Sequence, residues 1–216
     1  MSIEKELFQQ CLDAPYVTIG DDFQYWYDGE RTIYFQCSSS DSDWKKNLDF
    51  FPIPIKPYKD MPITWYAHRG FVKVWKSVRD TILPIVKEIY AKRFVPRIIG
   101  YSHGAAIAVL AHEDIAFNLC DLITSNNLID IFRSTISGNE LIPETLIFGC
   151  PRVIWLSKSS LWRFSSIDNY QVQGDIVTHV PPKLFGYRHI GNILKLGNWF
   201  PIWPWRHEPK NYLRFL

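Results

Sequence analysis

The residues best suited to carry chemistry lie in one short segment, Gly100-Tyr-Ser-His-Gly104. This segment has the spacing G-x-S-x-G, which places a serine on a sharp, strained turn between a strand and a helix. Ile98 and Ile99 before it are typical of a strand, and the alanine-rich residues 105–111 after it are typical of a helix. The chemistry would be nucleophilic attack by the Ser102 hydroxyl, and the alternative is a glycine-flanked turn with Ser102 as a helix N-cap.

A serine nucleophile needs a histidine to take its proton and a carboxylate to orient that histidine. Asp175 directly follows a strand-like segment at 170–173, so its side chain can project from the carboxyl edge of a sheet. On residue types alone, every histidine beyond Asp175 is a candidate base. These histidines are His179, His189 and His207.

Patterns that alternate between strand and helix surround these residues. Apolar residues spaced by three or four between Phe71 and Ile89 predict a helix with one apolar face, kinked at Pro84. Such alternation predicts the α/β class, with a mainly parallel central sheet flanked by helices, in a single domain over residues 1–216. Strands are predicted at 16–19, 23–27, 31–37, 97–100, 145–149 and 170–173, and a second helix at 104–117.

The composition excludes several classes of protein. The chain has 216 residues, 47% of them hydrophobic, which is enough to bury a substantial core. A formal net charge of +2 gives no electrostatic reason to expect nucleic acid as a partner. No segment reaches the roughly 18 apolar residues of a membrane span. Charges interrupt residues 1–8, so we expect no signal peptide and a cytoplasmic protein.

The cysteines are widely spaced and include no C-x-x-C pair, which makes a zinc site unexpected. We interpret them as reduced core residues, and the formation of one disulfide stays open. We expect neither a metal ion nor an organic cofactor, because a serine nucleophile with its base and acid needs none. The cysteines are Cys11, Cys37, Cys120 and Cys150.

The order of several segments resembles the fungal-type class 3 triacylglycerol lipases, a family of α/β-hydrolases, from about Thr32 to the C-terminus. His68-Arg-Gly-Phe71 resembles the family's entry to a long helix, and Phe148-Gly-Cys-Pro-Arg-Val153 resembles the end of one of its strands. The remaining matches are residues 33–50, residues 99–106 and residues 174–182. The resemblance implies an α/β-hydrolase fold and hydrolysis of acyl esters, such as acylglycerols or related lipids.

The resemblance also selects among the histidines. Residues 181–191 resemble a family stretch whose histidine lies near the site without acting as the base, which implies a structural role for His189. His207-Glu-Pro-Lys-Asn-Tyr212 resembles the family's terminal H-x-x-x-x-Y segment, which carries the base. The triad implied by the resemblance is therefore Ser102, Asp175 and His207. His179 falls where the family varies.

The resemblance implies an oxyanion hole made by Ser38 and by the backbone N–H of His103. An alternative for Ser38 is a flexible polar loop over residues 38–42. Cys37 stands where the family usually has glycine, and Tyr101 and His103 replace its usual histidine and leucine. The His103 ring either adds a titratable group beside the site or points away from it.

Three aromatic residues are expected to bind substrate. Trp44 belongs to residues 41–50, which correspond to the family's lid and are either a mobile cover that opens at a lipid surface or a fixed one. Tyr101 adjoins the nucleophile. Trp203 lies in the aromatic loop 199–205, which we expect to form an apolar wall for an acyl chain.

The sequence therefore predicts a serine hydrolase of lipase or esterase type that acts on a small-molecule or lipid ester. A transient contact with a lipid interface is expected, and no nucleic acid partner. Alternatives are a non-catalytic binding protein on the same fold, an acyltransferase and a phospholipase.

Overall fold

The computed structural model describes residues 2–19, 23–37, 49–55, 65–118, 141–155, 164–198 and 201–216. The strands are β1 Val17–Ile19, β2 Phe23–Tyr27, β3 Thr32–Cys37, β4 Pro52–Ile55, β5 Trp65–His68, β6 Arg97–Tyr101, β7 Glu144–Phe148, β8 Ile154–Trp155, β9 Ile167–Val172, β10 Tyr187–Arg188 and β11 Asn192–Leu196. The α-helices are α1 Ile3–Asp13, α2 Arg69–Ala91, α3 His103–Phe117 and α4 Pro209–Phe215. Short 3-10 helices lie at Val177–His179, Lys183–Phe185 and Pro204–His207.

The main sheet has the strand order β1-β2-β3-β6-β7-β9-β11 among the described residues. Strands β3, β6, β7, β9 and β11 are parallel, whereas β1 and β2 join antiparallel at one edge. Parallel strands end at the same edge, so the chain leaves β6 at Ser102 and β9 near Asp175 on the same side of the sheet. A smaller antiparallel sheet has the order β10-β8-β5-β4.

Each face of the main sheet is covered by helices because alternate residues of its strands are apolar on both faces. Ile98 of β6 packs in the core formed with α2 and α3. Its neighbour Ile99 packs in the opposite core, where Phe8 of α1 and Tyr212 of α4 are buried. The predicted fold class, a mainly parallel sheet flanked by helices, agrees with this arrangement.

Helix α2 places a long apolar face against α3, as its three-to-four spacing predicts. The helix continues through Pro84 as far as Ala91. A buried carboxylate joins the two helices: Asp114 accepts hydrogen bonds from Trp75 Nε1 at 2.9 Å and from Arg79 Nη2 at 3.1 Å. These donors compensate for the cost of removing the charge from water.

Helix α3 crosses the main sheet at unusually close range, and two glycines make this possible. A Cβ atom on Gly104 would overlap the backbone of Phe35 in β3 and lie 2.9 Å from Gln36 Cα. A Cβ atom on Gly100 would lie 2.6 Å from the Gly104 carbonyl oxygen. The two glycines of the G-x-S-x-G segment thus allow the strand, the turn and the helix to pack together.

Gly104→Ala is therefore expected to lower the free energy of unfolding by about 3 kcal/mol, because the new methyl group meets rigid backbone rather than a movable side chain. Urea unfolding would measure the loss. Gly29→Ala is the matched control, because Gly29 has a φ of +83° but open space around it, so it adds backbone strain without a collision. Equal losses in the two variants would contradict the close-packing explanation.

Two of the cysteines lie where the sequence predicts. Cys11 and Cys150 are buried free thiols. Burial raises the pKa of Cys11 to about 12 and that of Cys150 still further, so both remain protonated at neutral pH. The side chains of Cys37 and Cys120 fall outside the described part of the chain.

Candidate active site

Ser102 occupies the turn between β6 and α3 in a strained conformation. Its φ of 56° and ψ of −122° are unfavourable for a residue with a side chain. Its backbone N–H donates to the carbonyl oxygen of Phe148 at 2.9 Å, which ties the turn to the end of β7. Although Ser102 stands at the N-cap position of α3, its hydroxyl makes no capping hydrogen bond. The hydroxyl is instead directed at a histidine.

The structure brings Ser102, His207 and Asp175 into one hydrogen-bonded chain. Ser102 Oγ lies 2.7 Å from His207 Nε2. His207 Nδ1 lies 2.8 Å from Asp175 Oδ2. Both distances are within the reach required for proton transfer and for orientation of the base. The arrangement can abstract the proton of the serine hydroxyl and stabilise the resulting imidazolium.

The Asp175 carboxylate is fully buried and is held by several donors. Its Oδ1 accepts from the Val177 N–H at 2.8 Å, and its Oδ2 accepts from the Tyr212 hydroxyl as well as from His207. Burial, together with the negative charge of Asp175, raises the pKa of Tyr212 well above its ordinary value. Tyr212 therefore stays a hydrogen-bond donor, and Asp175 is fixed in the orientation that His207 requires.

A backbone contact holds the segment that precedes His207 close to the loop that carries Asp175. Trp203 pairs with Asp175 in an isolated parallel bridge, and the Trp203 N–H donates to the Gly174 carbonyl oxygen at 2.9 Å. The 3-10 helix that ends at His207 begins directly after Trp203. The C-terminal segment is thus fastened to the loop that carries the acid.

Tyr101 and Gly149 enclose the imidazole ring of His207. The Tyr101 ring stacks on it with centroids 5.1 Å apart at an angle of 15°, and the Tyr101 hydroxyl donates to the His207 carbonyl oxygen. A Cβ atom on Gly149 would lie 2.9 Å from His207 Cε1. Gly149 has a φ of +59°, so both its conformation and the ring require glycine here. Sequence reasoning missed this role of Gly149.

The other histidines lie outside this hydrogen-bonded chain. His189 Nε2 donates to the Thr178 carbonyl oxygen at 2.6 Å, and burial lowers the pKa of His189 to about 4, so its ring is neutral. His179 Nδ1 lies 2.8 Å from the Asp175 carbonyl oxygen, within the acid loop. His68 is buried and stacks on Phe71 at 4.0 Å. These contacts agree with the structural role that the resemblance implies for His189, which stays a prediction.

The remaining predicted site residues have different outcomes. The His103 N–H lies in the first turn of α3, where backbone donors have no partner within the helix, but its ring is buried against Phe71 at 5.1 Å. Trp203 is 43% exposed and stacks on Trp205 at 4.7 Å. Tyr101 stacks on His207, and its predicted contact with substrate stays a prediction. Ser38 and Trp44 lie outside the described residues, and their roles stay predictions.

Tyr101→Phe is expected to lower kcat about tenfold with little change in KM, because it removes the hydrogen bond to the His207 backbone and keeps the stacked ring. Steady-state kinetics on a soluble ester would separate the two constants. Tyr170→Phe, which alters another tyrosine of the same core layer, is the control. A change confined to KM would contradict a positioning role for Tyr101.

A strained serine between a parallel strand and a helix, followed along the chain by an acid and then a histidine, defines the α/β-hydrolase class. The family model described as Lipase (class 3) matches residues 32–185, and the chain belongs to that family. The resemblance found in the sequence is thereby confirmed.

Known proteins similar to this chain agree with the fold class. A lipase from Rhizomucor miehei is 27% identical over 168 residues, which cover 76% of this chain and 41% of that protein. The chain thus spans less than half the length of this relative. A solved lipase from Rhizopus microsporus var. chinensis is 22% identical, with a TM-score of 0.60 over 88% of this chain and 64% of its own.

A second solved structure is that of a triacylglycerol lipase whose catalytic centre is described as a serine protease triad. It is 20% identical, with a TM-score of 0.54 over 85% of this chain and 65% of its own. At this level of identity the two structures establish the shared fold. In the described ranges of the chain, no helix is long and apolar enough to span a bilayer.

Proposed function

We propose that this protein hydrolyses carboxylic esters of acyl chains through Ser102, His207 and Asp175. The observation that carries the proposal is the unbroken hydrogen-bonded chain from Ser102 Oγ through the His207 ring to the buried Asp175 carboxylate, at 2.7 and 2.8 Å. A scaffold protein would not need to hold a serine in this backbone conformation with its hydroxyl aimed at an oriented histidine.

In the first half of the reaction, Ser102 Oγ attacks the ester carbonyl carbon while His207 Nε2 takes the hydroxyl proton. The tetrahedral oxyanion is stabilised by the His103 N–H and, as the sequence predicts, by Ser38. Collapse of this intermediate breaks the bond to the leaving alcohol, which receives the proton from His207. The product is an ester of the acyl group with Ser102.

In the second half, His207 takes a proton from water, and the hydroxide attacks the acyl-enzyme carbonyl. The acid product leaves, and the proton returns to Ser102 Oγ. Asp175 stays ionised throughout and stabilises the imidazolium at both stages. Its three donors keep the carboxylate from rotating away from His207.

A lipid is the substrate class that the surroundings of His207 favour. Trp203 and Trp205 stack on one another and are 43% and 53% exposed. An apolar surface of this kind next to the base offers a wall for an acyl chain or a contact with a lipid interface. The family, and the lipase activity named for its Rhizomucor miehei member, support the same class.

Replacement of Trp203 and Trp205 together by alanine is expected to lower kcat/KM on dodecanoyl esters about tenfold and on acetyl esters less than twofold, because only the longer chain reaches this surface. Phe94→Ala is the control. Phe94 is 38% exposed, but it lies between α2 and the start of β6, at the amino end of the parallel strands, whereas the triad lies at their carboxyl end. An equal loss on both esters would contradict an acyl-binding wall.

A series of p-nitrophenyl esters from acetate to dodecanoate tests the proposed activity itself. We expect turnover that disappears in Ser102→Ala, with a preference for the longer chains. Release of p-nitrophenol that Ser102→Ala leaves unchanged would contradict the proposal and favour a non-catalytic protein on this fold.

A further inference from the structure

A concavity lies beside the loop that carries Asp175. It encloses 580 Å³, a volume within the range of small-molecule sites. Gly174 and Thr178, on either side of the acid, contribute to its wall, whereas none of the three triad residues does. The cavity is therefore separate from the position at which the ester would react.

Cationic side chains dominate the charged part of this cavity. Arg152, Lys183, Arg188 and Lys195 line it, and no aspartate or glutamate stands among the described residues of its wall. Within the described ranges, none of these four side chains forms an ion pair with a carboxylate. His189 adds no charge, because burial lowers its pKa to about 4. The four cations therefore give this wall a positive field that a ligand would meet.

Arg152 is the most rigidly held of the four. Its Nη1 donates to the carbonyl oxygens of His179 and of Pro181, the latter at 2.8 Å. Partial burial lowers the pKa of Arg152, which reflects the cost of holding a charge there. Its Nε and Nη2 have no hydrogen-bond partner among the described residues, so they can contact an oxyanion in the planar, bidentate manner typical of arginine.

Apolar side chains form another part of the wall. Val172 and Tyr187 are buried at its base, while Ile193 and Ile202 are 45% and 51% exposed. A free inorganic anion would leave these side chains in contact with water. An aliphatic chain attached to the anion would cover them, with a gain proportional to the apolar area removed from water.

We propose that this cavity binds an amphiphilic oxyanion, with a carboxylate or phosphate head group against Arg152 and an aliphatic chain along Ile193 and Ile202. The site is independent of ester hydrolysis, although a fatty acid released by that reaction has this chemistry. Thr178 lines the cavity, and its Oγ1 donates to the Asp175 carbonyl oxygen at 2.8 Å. A ligand in the cavity would therefore contact the loop that positions Asp175.

Isothermal titration of the 216-residue chain tests the proposal, with octanoate, octyl phosphate, inorganic phosphate and octanol as probes at concentrations below micelle formation. We expect octanoate and octyl phosphate to bind at least about tenfold more tightly than inorganic phosphate and octanol, because only they supply both parts of the ligand. Inorganic phosphate or octanol that binds as tightly as octyl phosphate would overturn the proposal.

Two double variants locate the binding. Arg188→Gln with Lys195→Gln changes two exposed side chains of the cavity and is expected to weaken octyl phosphate binding about tenfold. Lys5→Gln with Lys87→Gln removes the same charge elsewhere and is expected to leave binding within twofold. An equal loss of octyl phosphate affinity in the two double variants would contradict binding in this cavity. The cavity variant should keep its ester turnover, so a failure here is distinguishable from a failure of the proposed hydrolysis.

Discussion

His207→Ala is expected to lower kcat on a short-chain ester by about 10⁵-fold, whereas His189→Ala is expected to lower it by less than tenfold. The two histidines differ in what their nitrogens contact. His207 joins Ser102 Oγ to Asp175 Oδ2, whereas His189 Nε2 contacts the Thr178 carbonyl oxygen. Among the described residues, only His207 is placed to take the proton of the Ser102 hydroxyl, and His207→Ala removes it.

Purified variants, each checked for cooperative thermal unfolding, would be compared with Ser102→Ala. The account predicts that His207→Ala and Ser102→Ala are about equally inactive, because the triad acts as a unit. Near-normal turnover in His207→Ala together with an inactive His189→Ala would reverse the assignment of the base.

Asp175→Asn is expected to lower kcat by about 10⁴-fold, with the fold intact. The carboxylate accepts hydrogen bonds from His207 Nδ1, the Tyr212 hydroxyl and the Val177 N–H. An amide has only one oxygen and would present its NH₂ group to one of these donors. The imidazole would then be held in the wrong tautomer, and its protonated form would lose its counter-charge.

Asp168→Asn is the matched control, because Asp168 lies on β9, the strand that precedes Asp175, and accepts a hydrogen bond from Asn192 at 3.1 Å. It is expected to retain full activity. Equal activity of Asp175→Asn and Asp168→Asn would remove Asp175 from the mechanism.

The nucleophile could be predicted from the sequence because everything that places it is local. The strand, the turn and the helix around Ser102 are continuous in the chain, and the two glycines that permit the turn lie two residues on either side. Steric exclusion within such a short segment leaves little choice of structure. The structure adds one contact that is not local. The backbone of Phe35, which is far away in the sequence but lies in β3 beside β6, excludes a side chain from position 104.

The base could not be chosen from residue types, because His179, His189 and His207 all follow Asp175. Family resemblance favoured His207, and the structure shows the physical basis for its position. Pairing of Trp203 with Asp175 brings a segment 32 residues beyond the acid back to it. A contact of this kind depends on tertiary packing that no local pattern reports.

The enclosure of the imidazole was not predicted at all. Gly149 directly follows another strand, β7, and its positive φ and its proximity to His207 show why it is glycine. Helix α1 was also missed, although Ser2 caps it and Leu7, Phe8 and Cys11 bury one of its faces. Helix α4 and the two-residue strands β8 and β10 are too short to give a periodic signal.

Covalent trapping is the most direct measurement of the central claim, that Ser102 is a nucleophile activated by His207 and Asp175. An alkyl fluorophosphonate bonds to an activated serine oxygen with loss of fluoride, and peptide mass spectrometry locates the adduct. The account predicts one adduct per chain, on Ser102, absent in Ser102→Ala and formed far more slowly in His207→Ala and Asp175→Asn. An unlabelled Ser102, or labelling at the same rate without His207, would contradict it.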